Sequence, residues 1–220
     1  MTDWAADGNI PILILPFWMP KPVRVKPQSV LKSLLVKQKE QVKVEEKIIP
    51  VREEEGTMMD LENKILYVDM DGVLAKWEDA SYQDVSSEGF FLSREPVLNV
   101  IEAVRLIFES DVDVHILSAV LDNEFALKEK KDWLKLWLPW LPECCCHFIP
   151  YGSVKEPIHS KKIGYLLDDY IRNLVQWNGV GIKFCTACND SRGSWHGHRI
   201  HAMDTAAEMA EKILMIVKMD

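Results

Sequence analysis

From position 64 onward the chain alternates short apolar runs with stretches of helical periodicity. Lys64-Ile65-Leu66-Tyr67-Val68 is a nearly unbroken apolar run that stops at Asp69, the pattern of a strand buried on both faces of a parallel sheet. Residues 97–108 carry helical spacing, and 112–117 predict a second strand. The spacing predicts a helix over 123–138, with Trp133 and Trp137 four apart on one face. Residues 147–149 predict a short third strand and 158–163 one or two helical turns. A fourth strand at 165–167 ends at Asp168-Asp169. A helix over 171–177, a fifth strand at 181–184 and a closing helix at 205–219 complete the series. Strands separated by helices imply an α/β fold with a parallel sheet and right-handed crossovers. Such sheets bind ligands at the carboxyl ends of their strands.

Residues 1–57 have a different character. Positions 10–19 are apolar but interrupted by Pro11 and Pro16, and Pro20 follows. Positions 21–39 hold six basic side chains and no acidic one, and 40–55 turn rich in glutamate. A helix is possible over 29–41, where Val30, Leu34 and Leu35 share a face. The composition predicts a charged, proline-containing extension, flexible or serving to dock a protein partner. Met58 and Met59 precede the first good strand, so the folded domain is expected at 58–220.

The whole chain has 220 residues, 48% hydrophobic, enough to bury a core. Its formal net charge of −8 argues against general nucleic-acid or membrane-surface binding. The apolar run at 10–18 is too short to span a bilayer and does not resemble a signal peptide. Five cysteines, three of them consecutive at Cys144, Cys145 and Cys146, suit a reducing compartment better than a disulfide framework. The cytoplasm is the expected location.

Candidate chemistry sits where the strands stop. Asp69 ends the first strand and Asp71-Gly72 follows; Asp168-Asp169 ends the fourth. If those strands are neighbours, four carboxylates converge, and a hard divalent cation such as Mg2+ relieves their repulsion. Asp69 is placed to attack phosphorus, and Asp71 to act as general acid toward the leaving oxygen. Gly72 permits a sharp turn that brings backbone close to a phosphate. Ser118 and Ala119, after the second strand, offer a hydroxyl and amides to phosphate oxygens. Lys155, in the loop after the third strand, neutralises charge on the phosphate and on Asp69. Each of these residues alone reads as a cap or a solvated surface group; their order, each just past an apolar strand, makes them a set.

At these residues the chain resembles the haloacid dehalogenase-like hydrolases. Asp69-Met70-Asp71-Gly72-Val73-Leu74-Ala75 matches the first motif of that superfamily, Ser118 the second, Lys155 the third and Leu167-Asp168-Asp169 the fourth. The segment Gly89-Phe90-Phe91 with Pro96, and Tyr165 through Tyr170 followed by Asn173-Leu174 and Trp177, are most similar to the 5′(3′)-deoxyribonucleotidase group and related bacterial and phage proteins. The resemblance implies a Rossmann-like parallel sheet flanked by helices, with a small helical cap at about 76–100. It implies a magnesium-dependent phosphatase with Asp69 as nucleophile and Asp71 as acid/base. The metal would be held by Asp69, the Asp71 carbonyl and Asp168, with Asp169 nearby. Lys76 stands where such proteins often carry an acid. Only 46 residues separate Asp71 from Ser118, so the cap is small.

The expected substrate is a small phosphorylated molecule, a nucleoside monophosphate in particular. Trp77, Phe90 and Phe91 are candidates to stack its base, or else form the core of the cap. Two other readings remain: a phosphatase of sugars or nucleic-acid ends, and a binding or scaffold protein recruited through residues 1–57. Cys185, Cys188, the Cys144–Cys146 run with His147, and His196, His198 and His201 also invite a zinc site. Unliganded thiols and surface histidines are the preferred reading. Trp195 is expected to pack under the sheet edge or border the site.

Overall fold

The computed structural model describes residues 61, 63–77, 80–189 and 195–219. The expected extension at 1–57, the domain start at 58 and the helix over 29–41 lie outside the described residues.

The elements run β1 (Lys64–Val68), α1 (Tyr82–Val85), α2 (Leu98–Phe108), β2 (Asp113–Val120), α3 (Ala126–Trp137), β3 (Cys146–Pro150), β4 (Ile163–Asp168), α4 (Ile171–Gln176), β5 (Val180–Cys185), β6 (His198–His201) and α5 (Ala206–Met219). Six strands form one sheet in the order β3-β2-β1-β4-β5-β6, every pair parallel. This is the doubly wound α/β order expected from the alternating pattern. The chain leaves β1 toward one edge and returns to lay β4 on its other side, so the order reverses between β1 and β4. That reversal opens a crevice past the carboxyl ends of those two strands.

Burial explains the strand pattern. All five residues of β1 are buried, including Lys64, whose Nζ donates to the Val217 carbonyl at 2.8 Å. Helix α2 buries Val100, Ile101, Ala103, Val104 and Ile107, and α5 buries Met209, Ala210, Ile213, Ile216 and Val217. The two pack against each other. A reciprocal pair of bonds between Thr205 and Glu208 caps the start of α5. On the opposite face Ile65, Tyr67, Leu117, Leu166, Leu174 and Trp177 form a second cluster, with Trp195 packed against it. Trp195 therefore takes the packing role.

Three expectations are corrected. Residues 158–162 are turn and bend rather than helix, because Ile163 is drawn into β4, its N–H donating to the Asn63 carbonyl at 2.8 Å. A sixth strand, β6, occupies the stretch read as a histidine cluster. Only Ile200 of its four residues is buried, too little for an apolar pattern to register. Strand β2 continues through Ser118 to Val120 because β3 pairs with it that far. The cap between β1 and α2 holds one four-residue helix and a run of turns. Its core is Val85, Phe90 and Phe91 packed on Ala126 of α3.

Candidate active site

The register fixes the geometry of the crevice. Val68 lies level with Leu167 on β4, and the Asp69 N–H donates to the Leu167 carbonyl at 2.9 Å. Asp69 and Asp168 thus leave adjacent strands side by side. Carboxylate oxygens of Asp69, Asp168 and Asp169 lie within 4.8 Å of one another. The backbone then turns sharply through Gly72, where φ is +83°. A Cβ there would meet Asp169 Oδ2 at 2.5 Å, so only glycine lets the turn pass this carboxylate.

Lys155 is the central cation. It is 2% exposed and its Nζ bridges Asp69 Oδ1 at 2.8 Å and Asp168 Oδ2 at 2.7 Å. Burial works to lower its pKa, but the two carboxylates outweigh burial and raise it above the usual lysine value. The Met70 N–H also donates to Asp69 Oδ1, at 2.7 Å. Asp168, with no exposed surface, accepts from the Tyr170 N–H through Oδ1 and from Asn173 Nδ2 through Oδ2. These bonds tie Asp69 and Asp168 together through Lys155 and fix the Asp168 carboxylate to the start of α4.

A second lysine completes the site, and the sequence reading passed over it. Lys130, on α3, has no exposed surface. Its Nζ donates to Asp71 Oδ2 at 2.5 Å, Ser118 Oγ at 2.9 Å and the Ala119 carbonyl at 2.6 Å. Ser118 is fully buried, and its hydroxyl holds this ammonium instead of standing open at a strand end. A signal for Lys130 existed: with Ala126, Trp133 and Trp137 it falls at i, i+4, i+7 and i+11, on the buried stripe of the helix. A lysine on such a stripe requires a partner. Its neighbour Glu129 is also buried and accepts from the backbone N–H groups of Gly89 and Phe91, tying the cap to α3.

Asp71 stands between the two halves. Its Oδ1 is buried and has no hydrogen-bond partner among the described residues. Burial pushes its pKa up, Lys130 pulls it back and the Asp69 charge adds to the rise. A carboxyl with a raised pKa and an unpaired oxygen is suited to proton transfer. The clustered carboxylates are those of Asp69, Asp168 and Asp169; the ligand expected of Asp71 is its backbone carbonyl, not its carboxylate.

Four carboxylates against two ammonium groups leave two negative charges uncompensated. Without a cation, protons make up the deficit. Burial, then the charges of Asp69 and Asp168, push Asp169 up to about 8. Burial and the Asp69 charge push Asp168 up to about 6 despite Lys155. The all-oxygen donor set and its excess charge fit a hard divalent ion. The sign of the pH dependence follows. Carboxyls with raised folded pKa values bind protons more tightly folded than unfolded, so their stabilisation is lost as pH rises through those values. In EDTA the melting temperature is expected to fall between about pH 6 and about pH 8. Added magnesium is expected to raise it most at the alkaline end. Thermal scans across pH with and without the ion check this, and a pH-independent magnesium effect would contradict it.

The expected stacking residues differ among themselves. Phe90 and Phe91 are 8% and 3% exposed, and their rings are covered by the Arg94 guanidinium and the Lys130 ammonium, at 4.3 and 4.8 Å from the centroids. They form the cap core. Trp77 packs edge-on against Phe90 and remains 46% exposed, the one ring of the three open to a ligand. Lys76 makes an exposed ion pair with Glu95. Cys185, Cys188, His196, His198 and His201 do not form a metal-sized group among the described residues.

No family model and no curated protein matches the chain. Among solved structures it is similar to D,D-heptose 1,7-bisphosphate phosphatase from B. bronchiseptica, crystallised with magnesium and phosphate. The TM-score is 0.48 at 14% identity, over 70% of this chain and 99% of that one. A likeness at that level is no basis for assigning chemistry, which rests on the residues themselves.

Proposed function

We propose that this protein is a magnesium-dependent phosphomonoester hydrolase that works through an aspartyl-phosphate on Asp69. The observation that carries the reading is the meeting, at the β1–β4 crevice, of Asp69, Asp71, Asp168 and Asp169 with two buried lysines. Asp69, the Asp71 carbonyl and Asp168, with Asp169 beside them, would hold a magnesium ion, which would supply charge neutralisation to the phosphate. With Asp69 Oδ1 engaged by Lys155 and the Met70 amide, Oδ2 is the oxygen that attacks phosphorus. The bond from phosphorus to the ester oxygen breaks as Asp71 gives that oxygen its proton. Asp71, now a carboxylate, takes a proton from water, which attacks phosphorus and releases inorganic phosphate from Asp69. Lys130 holds Asp71 in place through both halves, and Lys155 holds Asp69 through its Oδ1.

The substrate is proposed to be a nucleoside monophosphate, as the resemblance to deoxyribonucleotidases implies, with the open ring of Trp77 stacking its base. Full-length protein with magnesium is expected to hydrolyse deoxynucleoside monophosphates faster than sugar phosphates, and EDTA to stop both. Trp77→Ala is expected to raise KM for nucleotides about 5- to 20-fold, the scale of one base–aromatic stack, and leave sugar phosphates unchanged. A preference for sugar phosphates that Trp77→Ala does not alter would remove the nucleotide and keep the chemistry. No magnesium-dependent turnover of any monoester would remove the chemistry as well.

No helix among the described residues is long and apolar enough to cross a membrane. The cytoplasm remains the proposed location, and docking of a protein partner through residues 1–57 remains a proposal.

A further inference from the structure

A second group of ligand atoms lies on another part of the sheet. Ring nitrogens of His115 on β2, His147 on β3 and His159 in the β3–β4 connection all fall within 4.8 Å of one another. His147 pairs level with Leu117, two residues along from His115, so the two histidines share one face of adjacent strands. His115 Nδ1 and His147 Nε2 are 2.6 Å apart, and the rings are nearly parallel at 11°. His159 approaches His115 edge-on, with ring centroids 5.3 Å apart. Its backbone N–H donates to the Tyr67 hydroxyl at 3.2 Å, which anchors its end of the connection.

The surroundings of His115 distinguish this group from a chance cluster. Its other nitrogen, Nε2, lies 2.9 Å from Asp113 Oδ1. The second Asp113 oxygen accepts from Lys162 Nζ at 3.0 Å, so the carboxylate is fixed. A carboxylate on the far nitrogen sets the tautomer: Nε2 carries the proton and Nδ1 turns a lone pair toward the other histidines. Metal-bound histidines are oriented this way. His115 is 6% exposed on a central strand, His147 half-buried and His159 exposed. The group therefore has a rigid side and a side reachable from water.

We infer that His115, His147 and His159 form a binding site for a divalent transition metal, zinc in the first instance, separate from the carboxylate centre. Imidazole nitrogens suit zinc, whereas magnesium prefers oxygen donors. Three histidines leave a fourth position for water. Tetrahedral zinc holds its nitrogen ligands ~3.3 Å apart. Seating the ion widens the His115–His147 contact and draws in the exposed His159 side chain. The consequence reaches the active site. Lys155 and His159 share the β3–β4 connection, and residues 151–162 of it form no helix or strand. A metal on His159 ties that connection to β2 and β3 and so steadies the segment that carries Lys155.

The test is calorimetric titration of metal-stripped, full-length protein with zinc chloride, in excess magnesium so that the carboxylates are occupied. One equivalent is expected to bind with micromolar or tighter affinity and to raise the melting temperature. His147→Ala and His159→Ala are each expected to weaken binding at least tenfold, and Asp113→Asn by 10- to 100-fold. Asp169→Asn is expected to leave zinc affinity unchanged. His159 is exposed, so its replacement does not threaten the fold, and circular dichroism confirms this. Absence of zinc binding, or binding that both histidine variants leave intact, would overturn the inference without touching the phosphatase reading.

Discussion

Replacing Asp69 with Asn is expected to abolish phosphoester hydrolysis while leaving the fold intact. The substitution keeps the shape of the side chain and removes the attacking oxygen. Loss of the nucleophile of a covalent mechanism costs about 10⁴-fold or more in kcat. The wild-type protein, quenched in acid during turnover of a ³²P-labelled monoester, is expected to retain acid-stable label that base releases; Asp69→Asn is expected to retain none. The same variant lowers the negative charge beside Asp168 and Asp169. In EDTA its melting temperature is therefore expected to match or exceed that of the wild type, although Lys155 loses one partner. Full activity in Asp69→Asn would rule out this residue as the nucleophile. Lost activity with an unchanged labelled intermediate would place the covalent step elsewhere.

Lys155→Met is expected to have the opposite effect on stability. Met has similar length and no charge, so Asp69 and Asp168 lose the ammonium they share while Asp168 stays fully buried. Breaking a buried pair by removing one partner costs about 3–5 kcal/mol. For a domain of this size that lowers the melting temperature by roughly 6–20 °C. The loss is expected to be largest in EDTA at pH 8, where neither a cation nor a proton stands in for the lysine. Magnesium, or a pH near 5, is expected to recover part of it. Activity is expected to fall about 10²- to 10³-fold even with saturating magnesium, as when one preorganised charge donor leaves a reacting centre. Equal melting temperatures for Lys155→Met and the wild type at pH 8 in EDTA would show that the ion pair does not hold the site together.

The two variants separate charge from nucleophilicity. Both lower turnover, yet metal-free stability moves in opposite directions, because the site carries more carboxylates than ammonium groups. A residue that merely packed the crevice would not produce this sign reversal.

The carboxylate site was legible in the sequence for a simple reason. Each of its acids follows an apolar run long enough to be a buried strand. In a parallel sheet, the end of such a run is where backbone leaves the core and polar groups gather. Asp69, Asp71, Lys155, Asp168 and Asp169 could therefore be assembled from strand ends and their order alone. The alternation of strands and helices carried the fold class in the same way. Which strands are neighbours, and hence whether the acids meet, needed the pairing of β1 with β4.

Other features depended on contacts between segments far apart in the chain. Lys130 is one of four lysines in a twelve-residue helix, and local pattern alone marks it only as lying on the buried stripe. Its role comes from α3 packing where Asp71, Ser118 and Ala119 surround the ammonium. Phe90 and Phe91 read equally well as a base platform or a core. The packing of the cap on Ala126 and two overlying cations assigned them to the core. Strand β6 buries a single residue and left no apolar run. The histidine group joins positions 115, 147 and 159, whose spacing matches no metal motif. Parallel pairing puts two of them on one face and the returning connection delivers the third. Local polarity writes strand ends into the chain directly, whereas a partner across the fold is chosen by packing and register, which no window of sequence contains.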